Sequence, residues 1–201
     1  KLYHNAEALL LLKPMIGRET AILTLQNGVV SGERIAAVYG WGPVLQGAAY
    51  IEAEQLGPGR IEQSGPTARI EFGERDGRRT ARVEVIEKVL SKPGIQVNVS
   101  DSIAETLWSK LVSVASVGTA MTAARASLPE VFAMTGGEDT IRAVMEEIVA
   151  VGKAHEIRFK PGIVDEKLAG LKAEAEHFRS SLQSDLECGR PLELDDLLGS
   201  V

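Results

Sequence analysis

Residues 106–124, TLWSKLVSVASVGTAMTAA, form one long apolar run in which Lys110 is the only charged side chain. The pattern predicts a helix. On a 3.6-residue period Lys110 shares an angular sector with Ile103, Leu107, Val114 and Met121, the most apolar face of that helix. A cation on such a face must be paired, opened to water by a cleft or shifted in pKa, because an isolated buried charge is costly. A blander alternative stays open, in which the lysine stem lies on apolar surface and its head snorkels to water. No acidic residue stands three or four positions after Lys110, and Glu105 and Asp101 precede it at spacings that do not make helical pairs. A partner for Lys110 therefore has to come from elsewhere in the fold.

The rest of the composition narrows the class. With 201 residues, 44% hydrophobic and 25% charged, the chain suits one medium domain or two small ones. A net charge of -6 and 4% aromatics leave no electrostatic footprint for nucleic acid. One cysteine, Cys188, excludes an internal disulfide framework, and His4, His155 and His177 are too scattered for metal-ligand spacing. No apolar run reaches membrane-spanning length and no signal or transit peptide is visible, so a reducing cytoplasm is the expected setting. The start at Lys1 within a helical pattern, and the stop at Val201 as an apolar helix gets under way, read as an internal fragment of a longer polypeptide.

Two organisational halves are expected, residues 1–99 and 100–201: an α/β part followed by an all-α part. In the first, residues 6–15 read as helix, 21–25 as a buried strand and 30–37 as a short helix. Residues 44–72 follow as strands or hairpins punctuated by Gly47, Gly57, Pro58, Gly59, Gly65 and Pro66. Residues 80–90 read as a helix with Val83, Val85, Ile86, Val89 and Leu90 on its apolar face, and residues 95–99 as a half-buried strand. In the second half, Ser102 and Glu105 have capping-box spacing, and further helices are expected over 139–155, from 164 to about 171, and from near Pro191.

Two more constellations stand out. Residues 26–28, QNG, close an apolar strand with an amide and a glycine, which is where open α/β sheets bind ligands. Asn27 is a candidate to hold a cofactor amide or substrate oxygen, with a plain Asn-Gly turn as the alternative. Residues 180–196 combine hydroxyls, carboxylates and a Gly-Arg-Pro turn. There Ser181 is a cap or a ligand donor, and Glu193 sits in an expected first helical turn, where the macrodipole alone would favour it. The sequence has no Walker loop and no complete GxGxxG; both Gly40-Trp-Gly42 and Gly57-Pro-Gly59 lack the third glycine.

In this order, LQNG at 25–28, LWSKL at 107–111, SLQSD at 181–185 and GRPLEL at 189–194 resemble the ketopantoate reductase (2-dehydropantoate 2-reductase) family. The resemblance spans nearly the whole chain. It implies a partial Rossmann-like nucleotide domain for NADPH, lacking its glycine-rich first turn, followed by a helical substrate domain lacking its last helices. It also implies roles by position. Lys110 matches the catalytic lysine that gives a proton to the developing alkoxide. Asn27 matches an asparagine between nicotinamide and substrate, and Glu193 a glutamate near the cofactor ribose and the lysine. Ser181 matches a serine on the substrate carboxylate end, and Lys1 a lysine beside the cofactor. A small 2-oxo acid is the implied partner, and a homodimer the implied assembly.

One departure bears on the substrate. Where the family carries asparagines four and eight positions after the lysine, this chain has Val114 and Gly118. A paralogue acting on a different, more apolar 2-oxo acid or ketone is one reading, and a decayed member serving as a binding or regulatory module is another. A third, a 6-phosphogluconate- or 3-hydroxyacid-type dehydrogenase, is opposed by the GRPLE stretch and by the absence of a basic cluster for a phosphorylated sugar. Burial among Leu107, Leu111 and Val114 is expected to lower the Lys110 pKa, with Glu193 opposing that shift.

Overall fold

Strand β2 (Val44–Tyr50) shows why the first half makes a covered sheet: adjacent residues point to opposite faces, and both faces are apolar. In the computed structural model, which describes residues 1–63 and 68–201, Val44 packs with Leu9 and Ile35 while its neighbour Leu45 packs with Phe72 and Val83. The same alternation places Ile22 and Leu23 of β1 (Ile22–Thr24) in those two separate clusters. Helices α1 (Asn5–Leu12) and α2 (Ser31–Tyr39) supply the first cluster and α3 (Ala81–Leu90) the second. The sheet is thus covered on both sides, as the Rossmann-like expectation requires.

The sheet order is β1-β2-β5-β6, with β5 at Ala68–Gly73 and β6 at Ile95–Val99. β1 runs parallel to β2, β5 antiparallel to β2, and β6 parallel to β5. A separate hairpin, β3 (Ala53–Gly57) and β4 (Arg60–Gln63), turns at Pro58 and Gly59 and is exposed along most of its length. Gly65 and Pro66, assigned to the same strand-rich stretch, lie outside the described residues. A third cluster, Ala48 with Ile103 and Leu107, joins the start of α4 (Ile103–Ala124) to the sheet, with Val29 and Tyr50 against it.

The second half is helical throughout. After α4 come α5 (Leu128–Ala133), α6 (Gly137–Ala154), α7 (Ile163–Glu174), α8 (Ser181–Glu187) and α9 (Leu194–Leu197). Leu111, Val112, Ala115, Val117 and Met121 of α4 are buried, as are Ile141, Met145 and Ile148 of α6. The chain divides into two compact units, residues 1–107 and 108–201. Among the described residues no helix is long and apolar enough to cross a membrane, and no cluster of His, Cys, Asp or Glu suits a metal ion.

Three details differ from the sequence expectation. Val85 and Val89 of α3 are exposed; Val85 lies about 200° round the helix from buried Val83, so only Val83, Ile86 and Leu90 face the sheet. The short helices α5 and α8, of 6 and 7 residues, span too few turns for a period to emerge from sequence, and α5 is announced instead by its Ser127–Glu130 capping box. Pro191 does not open a helix. The Gly-Arg-Pro stretch closes α8: Gly189, at φ 65°, donates to the Leu186 carbonyl and the Arg190 N–H to the Asp185 carbonyl. This is a Schellman cap with proline just beyond it, so the next helix starts only at Leu194.

Candidate active site

In the first unit the candidate residues gather at the carboxyl end of β1. The chain leaves the strand at Thr24, passes through residues 25–30 without regular structure, and enters α2 at Ser31. Asn27 is half-buried in this segment, and Gly28 beside it takes φ 89° in the left-handed region. Lys1 is exposed and precedes a single 3-10 turn, its carbonyl accepting from the His4 N–H at 3.0 Å. Asn5, four residues on, pairs with Gln26, so the Lys1 segment and the Asn27 turn meet. Asn5 and Gln26 exchange bonds of 3.1 and 2.7 Å, and Ser31 Oγ donates to Gln26 Oε1 at 2.6 Å. Thr24 Oγ1 lies 2.6 Å from Ser31 Oγ. Sequence reasoning selected Asn27 but missed Asn5, Thr24 and Ser31, which are polar residues brought together only by the crossing of α1 over the end of β1.

In the second unit α4 carries Lys110, half-buried, with Val114 and Gly118 one and two turns further along the same side. Gly118 is buried because the start of α8 lies close over it. A Cβ built on Gly118 would come 3.2 Å from Ser180 Oγ and 3.7 Å from Leu182 Cβ. A side chain there would press on the Ser180 hydroxyl, which would have to give by a few tenths of an ångström, so the glycine suits the close approach of α8. Ser180 is the N-cap of α8, its hydroxyl accepting from the Gln183 N–H at 3.4 Å. Ser181 is therefore not the cap; it is the exposed first residue of the helix.

Glu193 is 5% exposed and stands at the N-cap of α9 without a side-chain cap bond. A cap bond thus does not account for its buried carboxylate, although its place at the start of α9 is one the helix macrodipole favours. The loop that carries it is anchored by Arg190, whose Nε donates to Asp185 Oδ1 at 2.8 Å and whose Nη2 donates to Ser184 Oγ at 3.2 Å. Asp185 is 3% exposed. None of Lys1, Asn27, Lys110 and Glu193 is without a partner.

Residues 1–77 match the family described as Ketopantoate reductase PanE/ApbA, and residues 102–201 match Ketopantoate reductase PanE/ApbA C terminal. The chain belongs to the ketopantoate reductase family. A 2-dehydropantoate 2-reductase of Mesorhizobium japonicum is 31% identical over 208 residues, covering 94% of this chain and 63% of that protein. An uncharacterized oxidoreductase of Bacillus subtilis, YkpB, is 27% identical over 199 residues, covering 99% of this chain and 66% of that protein. Among solved structures, a 2-dehydropantoate 2-reductase from Geobacter metallireducens superposes with a TM-score of 0.90 at 26% identity, covering 98% of this chain and 66% of that one. The chain thus spans about two thirds of the length of these relatives.

Proposed function

We propose that the protein reduces the keto group of a 2-oxo acid, either 2-dehydropantoate or a more apolar relative, with NADPH as hydride donor and Lys110 as general acid. The observation that supports this most is the half-buried Lys110, the only charge along residues 106–124 of a buried helix, in a chain of this family. The residues present suit the nicotinamide end of the cofactor, since a neutral amide turn closes a parallel strand at its carboxyl end. When bound, the reduced nicotinamide supplies the hydride.

The chain's own residues do the rest. The Lys110 ammonium gives its proton to the carbonyl oxygen as negative charge grows there, an interaction stronger in the transition state than in the ground state. Glu193, a buried carboxylate, favours the charged form of the lysine and meets the cofactor ribose. The Asn27 amide orients the carboxamide and the substrate oxygen, Lys1 contacts the cofactor, and the Ser181 hydroxyl donates to the substrate carboxylate. The apolar Val114 and close-packed Gly118 favour a substrate body with fewer hydroxyl groups than the asparagines of the family would serve.

Lys110→Ala in the full-length protein is expected to lower kcat by about two to four orders of magnitude while NADPH binding persists. Near-native turnover in that variant removes Lys110 from the mechanism. The replacement of both asparagines also supports a second reading, a binding module without turnover. NADPH binding by the unaltered protein with no reduction of any 2-oxo acid in a panel would favour it.

A further inference from the structure

The polar hub at the end of β1 has a fixed direction. Ser31 has one hydroxyl proton, and it goes to Gln26 Oε1 at 2.6 Å. The 2.6 Å contact between Thr24 and Ser31 must then have Thr24 as donor. Gln26 Oε1 is thereby aimed at Ser31, which leaves Gln26 Nε2 to donate to Asn5 Oδ1 at 2.7 Å while Asn5 Nδ2 returns a bond at 3.1 Å. Asn5, Thr24 and Ser31 are all buried, with Asn5 7% exposed, so water does not readily replace a lost partner.

The hub brackets the irregular segment. Gln26 lies at its beginning and Ser31 at its end, and the bond between them closes the base of the loop that carries Asn27. Asn5 ties the same point to the start of α1, next to the Lys1 turn. We propose that Asn5 and Gln26 are positioning residues, a reciprocal amide pair that holds the Asn27 turn and the Lys1 segment in the geometry the nicotinamide end of the cofactor requires. The inference rests on the reading of Asn27 as a cofactor and substrate contact. A displacement of about 1 Å at such a contact can cost about a hundredfold in rate, so the pair need not touch a ligand to matter.

Isosteric changes test this in the full-length protein. Gln26→Glu keeps the acceptor facing Ser31 and turns the atom facing Asn5 Oδ1 from donor to acceptor. Asn5→Asp does the same from the other side. Each is expected to raise the NADPH dissociation constant and lower kcat for 2-dehydropantoate by about tenfold or more, with the substrate KM moving less. Hydrogen exchange across residues 25–30 of the cofactor-free protein should quicken in both. The swap Asn5→Gln/Gln26→Asn keeps one long and one short amide across the gap and should restore NADPH affinity and kcat to within about threefold. Wild-type NADPH affinity and kcat in the two single variants overturns the proposal, even if their thermal midpoints fall. Should the single variants not fold, Ser31→Ala cuts the hub more gently: weaker NADPH binding at an unchanged midpoint supports the proposal, and unchanged binding overturns it. Asn27→Ala separates the two levels. Normal NADPH binding and turnover there sinks the reading of Asn27 and the proposal with it, whereas an impaired Asn27→Ala beside an unimpaired Gln26→Glu sinks the proposal alone.

Discussion

Asn5, Thr24, Gln26 and Ser31 in the first unit meet through hydroxyls and amides with no formal charge among them, whereas Asp185 and Arg190 in the second unit meet as an ion pair at 2.8 Å. Both hubs pin a segment that bears a candidate active-site residue, Asn27 in one case and Glu193 in the other. A neutral hub takes its geometry from the placement of protons, and removing one member forfeits a hydrogen bond or two. A charged hub takes it from a buried carboxylate, and removing the cation leaves that carboxylate less well compensated in a place water reaches poorly. The difference teaches that similar anchoring tasks carry different sensitivities to mutation and to pH.

The comparison is easiest to break at its charged end. Arg190→Met should destabilise the protein by about 2 kcal/mol, discounted from the cost of a fully buried pair because the arginine side chain is half-exposed. A chemical-denaturation midpoint measures it; a loss no larger than that of the neutral hub would erase the contrast. Thr24→Val, nearly isosteric, should cost about 1 kcal/mol by removing the donor to Ser31. Its loss should be the same at pH 5 and pH 8, since nothing in that hub titrates there.

The smallest effect sharpens the point by placing a charged hub in the first unit. Glu74 accepts from Arg82 Nε at 2.7 Å and Nη2 at 2.5 Å and from Thr80 Oγ1 at 2.7 Å. The hydrogen bonds from Arg82, with help from Thr80, hold its carboxyl below the ordinary value of 4.5 against the opposing effect of burial. A lowered carboxylate pKa stabilises the fold fully above the unfolded value and loses that contribution as pH falls through the folded one. Thermal midpoints should therefore decline below about pH 4.5, and Arg82→Met should flatten that part of the profile. An unchanged profile would show that acid sensitivity does not follow this pair.

Much of this was legible in the chain. The strand at 22–24 follows from a short apolar run, the strand at 95–99 from a period of two, and the long helix bearing Lys110 from an apolar run with a 3.6-residue period; the α2 helix and the succession from α/β to all-α were expected as well. The order of LQNG, LWSKL and GRPLEL pointed to the family that the comparisons show. Other features were misread for identifiable reasons. Val85 and Val89 looked like core because composition ran ahead of angle, and Pro191 looked like a helix start because its Schellman cap depends on bonds back to Asp185 and Leu186.

What the sequence determined by itself is local: which segments repeat at which period, and that one lysine is embedded in an apolar helix. Tertiary structure alone decided that Asn5 and Gln26, twenty-one positions apart, exchange amide bonds, and that Gly118 lies beneath Ser180. The physical reason is reach. Periodicity is set by backbone geometry within a few residues, while hydrogen-bond partners and close approaches are set by how whole elements cross, which no short window of sequence encodes.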